Sequence, residues 1–209
     1  MTILALEFSS DRRSVALARD GIVLSEAVST HGRRATEALG LIEKVLTAGK
    51  ISREEIEVIA VGLGPGSYTG IRAAIAVAQG WQLARGVKML GVGGSEVLAA
   101  QAQAEGRFGR LNVMIDAQRG EFYLAEWELS ADKRVEVGPL RIVTTAEKTA
   151  RTAAGEAFTG PAAEPARHPG AAMVARLAGG RQDFVLGEKM QPIYLRETAF
   201  VKAPAARQL

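Results

Sequence analysis

Four glycines and a serine lie close together in one short stretch of the sequence, and residues of these types could bind an anion. The stretch runs from Gly62 to Arg72, reads Gly-Leu-Gly-Pro-Gly-Ser-Tyr-Thr-Gly-Ile-Arg, and lies between an apolar strand pattern and a helix pattern. Glycine permits positive φ angles and close approach of another group, and the amides of a helix N-terminus attract anions. Gly64, Gly66 and Ser67 are therefore candidate phosphate contacts. Neither a Walker loop nor a dinucleotide fingerprint is present, so a structural tight turn is the alternative.

Carboxylates stand at two places where a strand pattern meets a turn. Glu7 lies in an apolar strand and is followed by Ser9 and Ser10, and Asp116 ends a later strand pattern. A buried carboxylate must find hydrogen-bond donors or a cation. Glu7 with Ser9 and Ser10, and Asp116 in the same way, are therefore candidate contacts for a nucleotide or anion. Capping of neighbouring backbone N–H groups is the alternative for Glu7.

Metal-ligating and nucleophilic residues are scarce, which excludes several kinds of chemistry. The 209 residues include no cysteine and only two histidines, His31 and His168. Without cysteine there can be no disulfide and no thiolate metal site, which fits a reducing cytoplasm. The histidines form no i, i+4 pair, and no Gly-x-Ser-x-Gly elbow is present. We therefore predict no metal site and no serine hydrolase triad.

The composition indicates a globular protein with little attraction for nucleic acid. Hydrophobic residues make up 47% of the chain, and 26 basic residues against 23 acidic ones give a net charge of +3. The densest basic clusters are pairs such as Arg12-Arg13, so direct, strong RNA binding by this chain alone is not expected. The apolar runs are too short to cross a bilayer, and the N-terminus lacks a signal-peptide pattern. We expect a cytoplasmic protein that does not enter a membrane.

The elements that must position these residues alternate as βββαβαβα in the first half of the chain. Alternating and apolar runs predict strands at residues 2–8, 14–18, 22–28, 58–63 and 89–92, with helices at 33–48, 69–85 and 95–104. A looser stretch at 105–109 predicts a boundary between one lobe, 1–106, and a smaller one, 107–209. The smaller lobe should open with a hairpin and continue with a strand and two short helices, at residues 111–116, 121–129, 140–143, 146–151 and 171–177.

The predicted helix from residue 69 to residue 85 carries apolar side chains almost all round. Its small residues would let another backbone come close, and its larger ones supply buried area. A helix enclosed in the domain core is one interpretation. One sheet face needs a narrower stripe, however, so a second face buried against another subunit is the other interpretation. The residues concerned include Ile71, Ala74, Ile75, Ala78 and Trp81.

Several of these segments together resemble the TsaB family, also called YeaZ. The resemblance rests on Ile3 to Ser9, on Gly62 to Arg72, on the hairpin motif Asp116 to Glu121, and on the ending Pro192 to Glu197. These motifs stand in the family's order over nearly the whole chain, and Gly62 to Arg72 is the most specific. Glu7 stands where the family commonly has aspartate, Gln118-Arg119 alters the hairpin motif, and residues 31–33 replace the family's His-Ser-Glu.

The resemblance implies an α/β, two-lobed fold of the actin, Hsp70 and sugar-kinase type (ASKHA) with a degenerate C-terminal lobe. It also implies assembly: a catalytically inactive subunit pairs with TsaD, which makes N6-threonylcarbamoyladenosine (t6A) on the tRNA adenosine 3′ to the anticodon. The ATPase TsaE would join this complex, and tRNA would be met indirectly. The two helices at 33–48 and 69–85 would pack on TsaD or on a second copy as a homodimer, with these residues at the interface: Ala35, Leu39, Ile71, Ala74, Ile75, Ala78 and Trp81.

Two other functions are compatible with the fold class. An ATP-dependent small-molecule kinase would use Glu7 or Asp116 near phosphates, but it should show a glycine-rich adenosine motif in residues 154–180, where glycines are only scattered. A metalloprotease-like hydrolase would need more histidine than the chain has. We therefore expect that this chain requires no cofactor, although ATP or ADP could bind in the complex.

Overall fold

The computed structural model describes residues 1–30 and 37–195. Its elements are β1 (Thr2–Glu7), β2 (Arg13–Arg19), β3 (Ile22–Ser29), α1 (Glu37–Gly49), β4 (Val58–Gly62), α2 (Tyr68–Arg85), β5 (Lys88–Val92), α3 (Gly94–Ala104), β6 (Gly109–Gln118), β7 (Glu121–Leu129), β8 (Arg134–Thr144), α4 (Thr145–Ala153), β9 (Phe158–Thr159) and α5 (Ala171–Ala178). Short 3₁₀ turns follow α1 and α5. Residues 31–36 lie outside the described part. They include His31, the interface candidate Ala35 and the start of the helix predicted for residues 33–48.

The first sheet has the strand order β3-β2-β1-β4-β5. The first three strands are antiparallel, whereas β4 and β5 run parallel to β1. Strands β1 and β4 are buried along their whole length because helices cover both faces of the sheet. Helices α1 and α2 pack on one face, and α5 with the start of α3 packs on the other.

The second sheet has the order β8-β7-β6-β9. Helix α3 covers one face through Leu98, Ala99 and Ala102, whereas Val97 of the same helix faces the first sheet. A small apolar cluster around Met114 fills part of the opposite face, where α4 packs on β7 and β8. Helix α3 is therefore the element that both lobes share.

The α/β, two-lobed fold expected from the sequence is confirmed, and the predicted hairpin lies within β6 and β7. The boundary predicted after residue 106 stays a prediction. It falls in the turn between α3 and β6, but α5 crosses back from the second half of the chain and packs on β1 and β2 of the first sheet. Secondary-structure patterns do not show this return, because a helix pattern does not say which sheet it covers.

Strand β8 begins earlier than its predicted range of 140–143. The Gly138-Pro139 pair reads as a break in the sequence, yet both residues lie inside the strand. Proline is tolerated there because β8 is an edge strand, so its missing N–H removes no ladder bond on the open side. The register between β7 and β8 shifts beside this pair, which accommodates the irregular backbone.

No helix of the described part is long and apolar enough to span a bilayer.

Candidate functional site

The glycine-rich turn after β4 is held by backbone hydrogen bonds to two other loops. The N–H of Ser67 donates to the carbonyl of Ser9 at 2.7 Å, and the N–H of Gly94 donates to the carbonyl of Gly64 at 2.6 Å. Gly64 and Gly66 have φ angles of +80° and +150°, which L side chains rarely adopt. The turn therefore fastens the start of α2 to the β1–β2 loop and to the start of α3.

Close backbone contacts explain two of the glycines. A Cβ atom on Gly66 would lie 2.1 Å from the carbonyl oxygen of Ser9, and one on Gly70 would lie 2.0 Å from that of Phe8. Both distances are far below van der Waals contact. The Ser67 side chain also accepts a hydrogen bond from Gly70 N at 3.3 Å, as an N-cap of α2. This geometry favours the tight-turn interpretation of the stretch.

Glu7 lies at the end of β1 with 0% of its surface exposed. Its Oε1 accepts a hydrogen bond from Ser9 N at 2.7 Å, while its Oε2 has no partner and packs against Gly62. Burial raises the pKa of this carboxyl group, and the hydrogen bonds with Ser9 oppose that rise only in part. Glu7 has no exposed surface, and its hydrogen bond with Ser9 N fits the alternative of backbone capping. Its role as a nucleotide contact stays a prediction.

Of the remaining candidate anion contacts, Ser9 lies against Gly66 and Ser67 of the glycine-rich turn, whereas Asp116 lies apart from them in β6 of the second sheet. Ser9 is buried, and Ser10 is half-buried with its Oγ donating to the carbonyl of Arg12 at 3.2 Å. Asp116 is exposed, and its carboxylate accepts from the backbone N and the side chain of Gln118, within its own hairpin. Nucleotide or anion binding at these residues stays a prediction.

The inner face of α2 carries four of the predicted interface residues. Ala74 and Ala78 are 0% exposed, and Ile71 and Ile75 are also buried, in the core between α2 and the first sheet. Each buried isoleucine contributes about 1.5–3 kcal/mol to folding. A partner cannot contact side chains that the chain's own sheet already covers. The assignment of these four residues to an interface is therefore corrected, and Trp81 is half-buried beside them.

The outer face of α2 is apolar and exposed. Ala76, Gly80 and Leu83 follow one another at spacings of four and three residues, and Leu83 is 91% exposed. On α1, which packs on the same sheet face, Leu39 is 63% exposed and Gly40 lies beside it. We call Leu39, Gly40, Ala76, Gly80 and Leu83 the helix face. The i, i+4, i+7 spacing on α2 was readable in the sequence, but the apolar residues all round the helix concealed which face was inner.

The segment after α5, residues 184–194, forms a strap along the first lobe that the secondary-structure patterns do not indicate. Val185 N donates to the carbonyl of Met89 on the edge strand β5 at 2.9 Å. Gln79 and Gln82 of α2 then clasp Gly187, one donating to its carbonyl and one accepting from its N–H, each at 2.7 Å. The strap thus covers an open sheet edge and fixes α2 along its length.

The end of the strap reaches the glycine-rich turn. Ile193 N donates to the carbonyl of Leu63 at 2.9 Å, and the Tyr194 ring stacks on Tyr68 with centroids 5.1 Å apart. The Arg72 guanidinium lies 4.6 Å from the centre of the Tyr68 ring. Burial raises the pKa of Tyr194 to about 12. The motif that begins at Pro192 therefore packs on the motif from Gly62 to Arg72, and both belong to the family resemblance.

No group of three or more histidine or acidic side chains that could hold a metal ion occurs within residues 1–30 and 37–195. His168 lies in the loop before α5, and burial together with the nearby Arg12 lowers its pKa. Its Nδ1 is buried without a partner. The described residues thus offer no metal centre around which to build a reaction.

Comparison with known proteins gives three consistent findings. A family model described as "TsaD: tRNA N6-adenosine threonylcarbamoyltransferase" matches residues 2–200. The Escherichia coli "tRNA threonylcarbamoyladenosine biosynthesis protein TsaB" is 34% identical over 128 residues, which cover 61% of this chain and 55% of that protein. The Bacillus subtilis protein of the same description is 28% identical over 124 residues, 59% of this chain and 53% of its own. The matched part thus spans little more than half of these curated relatives.

Solved structures match more of the chain. "YeaZ from Pseudomonas aeruginosa" superposes with a TM-score of 0.78 at 27% identity, covering 93% of this chain and 99% of that one. A second Pseudomonas aeruginosa structure, described as an uncharacterized protein with similarity to peptidase YEAZ, gives a TM-score of 0.80 at the same identity and coverage. Both lobes are therefore shared with these structures, and the resemblance read from the sequence motifs is confirmed.

Proposed function

We propose a subunit role for this chain, which belongs to the family described as TsaD, tRNA N6-adenosine threonylcarbamoyltransferase, and within it to the TsaB and YeaZ proteins. The role is in the biosynthesis of threonylcarbamoyladenosine on tRNA, as a non-catalytic partner of TsaD. The descriptions of the curated relatives support the pathway. The observation that carries the partner role is the helix face on α1 and α2.

Two glycines of the helix face have no explanation within the chain. A Cβ atom added at Gly40 or at Gly80 would meet nothing within 4 Å. Glycine in a helix interior costs about 0.5–1 kcal/mol relative to alanine, because it loses more backbone freedom on folding. Neither glycine is needed for a turn, since each lies inside a helix. Close approach of another backbone to this face would account for both.

The shape and chemistry of the helix face fit a partner helix. Small side chains at Ala76 and Gly80 let two helix axes approach to about 8 Å, the short end of the usual range. Leu39 and Leu83 then supply apolar surface that is exposed in the isolated chain. We assign this face to TsaD. A second copy of this chain as a homodimer and the ATPase TsaE are the other occupants that the experiment below must distinguish.

Transfer of the threonylcarbamoyl group to the adenosine 3′ to the anticodon would take place on TsaD. The commitment of the glycine-rich turn to internal hydrogen bonds and the burial of Glu7 support this division of labour. The chain itself would require no cofactor, with any ATP or ADP held in the complex and tRNA met through TsaD.

Ala76→Arg tests the proposal, because a long charged side chain on an exposed position should block a close helix contact without unfolding the chain. Ala150→Arg on the exposed side of α4 is the matched control. Co-purification with TsaD of the same organism should be lost for the first variant and kept for the second. Threonylcarbamoyladenosine in tRNA from cells depleted of the native chain should follow the same pattern. Ala74→Arg is unsuitable, since Ala74 lies in the core.

Each other result has a definite meaning. Retention of TsaD by Ala76→Arg would refute the helix face as its binding site. Loss of self-association alone, measured by sedimentation, would assign the face to a homodimer instead, and loss of co-purification with TsaE alone would assign it to TsaE. Normal nucleoside levels in depleted cells would refute the pathway itself.

A further inference from the structure

The second sheet bears a polar cavity that the proposed subunit role leaves unused. Its volume is about 420 Å³, which lies within the range of small-molecule sites. Strands β6 and β7, helix α4 and the segment before β9 contribute its lining, which consists of Arg110, Asn112, Glu126, Arg151, Glu156 and Ala157. None of these residues belongs to the helix face.

Asn112 provides an unmet acceptor in this lining. It is only 2% exposed, and its Nδ2 donates to Glu156 Oε2 at 2.9 Å and to the carbonyl of Ala157 at 3.2 Å. Since both of these partners are acceptors, the amide cannot be turned round, and its oxygen is fixed as the remaining group. That Oδ1 is buried with no hydrogen-bond partner. A ligand that supplies an N–H donor would satisfy it.

Glu156 adds a negative charge beside that acceptor. Its Oε2 accepts from Asn112 and from Arg151, the latter at 2.8 Å, and no partner of its Oε1 is found in the described part of the chain. Asn112 Oδ1 and Glu156 Oε1 are both acceptors. An ammonium group, which has three donors and no acceptor, matches such a pair.

Arg110 supplies the opposite charge. Its side chain is 62% exposed, and one nitrogen of its guanidinium, Nη2, donates to Glu126. The hydrogen bond from Arg110 lowers the pKa of Glu126, so this carboxylate is ionised at neutral pH. The rest of the guanidinium fork has no partner among the described side chains. A planar carboxylate is the group that such a fork binds best.

The balance of charges favours a ligand that carries both signs. Two arginines and two glutamates line the cavity. A lone anion would face the two carboxylates, and a lone cation would face the two guanidinium groups, so each would meet repulsion as well as attraction.

We propose that this cavity binds a zwitterionic α-amino acid, with its carboxylate on Arg110 and its ammonium group between Asn112 Oδ1 and Glu156. The volume leaves room for a side chain beyond these two charged groups. This inference does not depend on the pairing with TsaD, and its test uses the chain alone.

The test is titration of the full chain with L-alanine, followed by ¹H–¹⁵N correlation spectra. Saturable shifts are expected for the Asn112 side-chain amide and for the backbone of residues 156 and 157. Acetate and methylammonium carry one charge each, so each loses one charge-assisted contact. Their affinities should be lower than that of L-alanine by about tenfold or more. Inorganic phosphate is the probe for a simple anion site.

Arg110→Gln and Glu156→Gln each remove one charge from a partly exposed position, and Arg176→Gln on the exposed side of α5 is the matched control. Thermal unfolding verifies that each variant is folded. Both cavity variants should weaken L-alanine binding by about tenfold, and the control should not. The proposal is overturned by the absence of saturable shifts, by acetate or phosphate binding as tightly as L-alanine, or by unchanged binding in the cavity variants.

Discussion

The carboxyl group of Glu7 lies at the junction of β1 with the glycine-rich turn, where one oxygen is bonded and the other is not. The sequence shows that a carboxylate in an apolar strand needs a partner, and it leaves ligand orientation and backbone capping as equal alternatives. The three-dimensional position favours capping, because Gly62 lies close to the carboxyl group and Glu7 has no exposed surface.

Glu7→Gln should change how the stability of the chain depends on pH. Burial raises the pKa of Glu7 in the folded state, so between the unfolded value of about 4.3 and the raised folded value the unfolded chain binds fewer protons. The free energy of unfolding of the wild type should therefore fall as pH rises through that window. The variant, which cannot ionise, should lack this fall.

Urea unfolding of both proteins at a series of pH values measures the difference. Parallel curves would show that Glu7 keeps an ordinary pKa in the folded chain. Glu188→Gln is a suitable control, since the Glu188 side chain is exposed.

At the scale of elements, α2 has one buried face and one exposed face. The inner face packs on the first sheet, and the outer face carries the exposed residues Ala76, Gly80 and Leu83. The proposed pairing with TsaD would explain the glycine on the outer face, which weakens the helix while a Cβ atom at its position would meet nothing within the chain.

Gly80→Ala should therefore stabilise the isolated chain by about 0.5–1 kcal/mol. It should weaken association with TsaD by roughly tenfold or more, since an added methyl group would stand in a close helix contact. Thermal unfolding and a binding titration measure the two effects.

Ala150→Gly on the exposed side of α4 is the reverse control, which should lower stability and leave binding unchanged. Unchanged affinity of Gly80→Ala for TsaD, together with the rise in stability, would show that no partner approaches the glycine.

The strap is an element without regular secondary structure, and it too can be tested. Gln82→Ala removes the acceptor for Gly187 N and should cost about 1 kcal/mol. Hydrogen exchange of residues 184–194 should become faster in this variant. The control is Gln182→Ala at an exposed position. It should leave the hydrogen exchange of residues 184–194 unchanged. Unchanged exchange in Gln82→Ala would mean that the strap is held by its other contacts.

The sequence predicts elements well where periodicity is clear and poorly where tertiary contacts decide. Strands β1 to β5 and helix α3 follow from their apolar patterns. The faces of α2 do not, because apolar residues surround it, and four residues were assigned to the wrong face as a result. The strap has no period at all, and β8 contains a proline that only an edge position tolerates. Each of these features depends on contacts with residues that are far apart in the sequence, which a local pattern does not show.

At the scale of the whole molecule, the lobes are interwoven along the chain. Helix α5 comes from the second half, yet its buried side chains, including Val174 and Ala178, fill the core of the first sheet opposite α1 and α2. Residues 1–106 therefore lack one of the two layers that their sheet requires.

A fragment of residues 1–106 should consequently fail to fold cooperatively. Removing α5 uncovers apolar side chains on β1 and β2, among them Ala5 and Ala16. Near-ultraviolet circular dichroism and urea unfolding measure the outcome, with the intact chain as reference. A sharp, two-state transition of the fragment would show that the boundary after residue 106 separates an autonomous domain.

The same interweaving sets an order of events during synthesis on the ribosome. The hydrogen bond from Ile193 to Leu63 joins residues 130 positions apart, and the bridge from Val185 to Met89 joins residues 96 positions apart. The nascent first lobe must therefore wait, with a sheet face and an edge uncovered, until almost the whole described chain has been translated. Such late closure exposes apolar surface for seconds at ordinary elongation rates. The growing chain is thus a natural client for chaperones in a way that the finished protein is not.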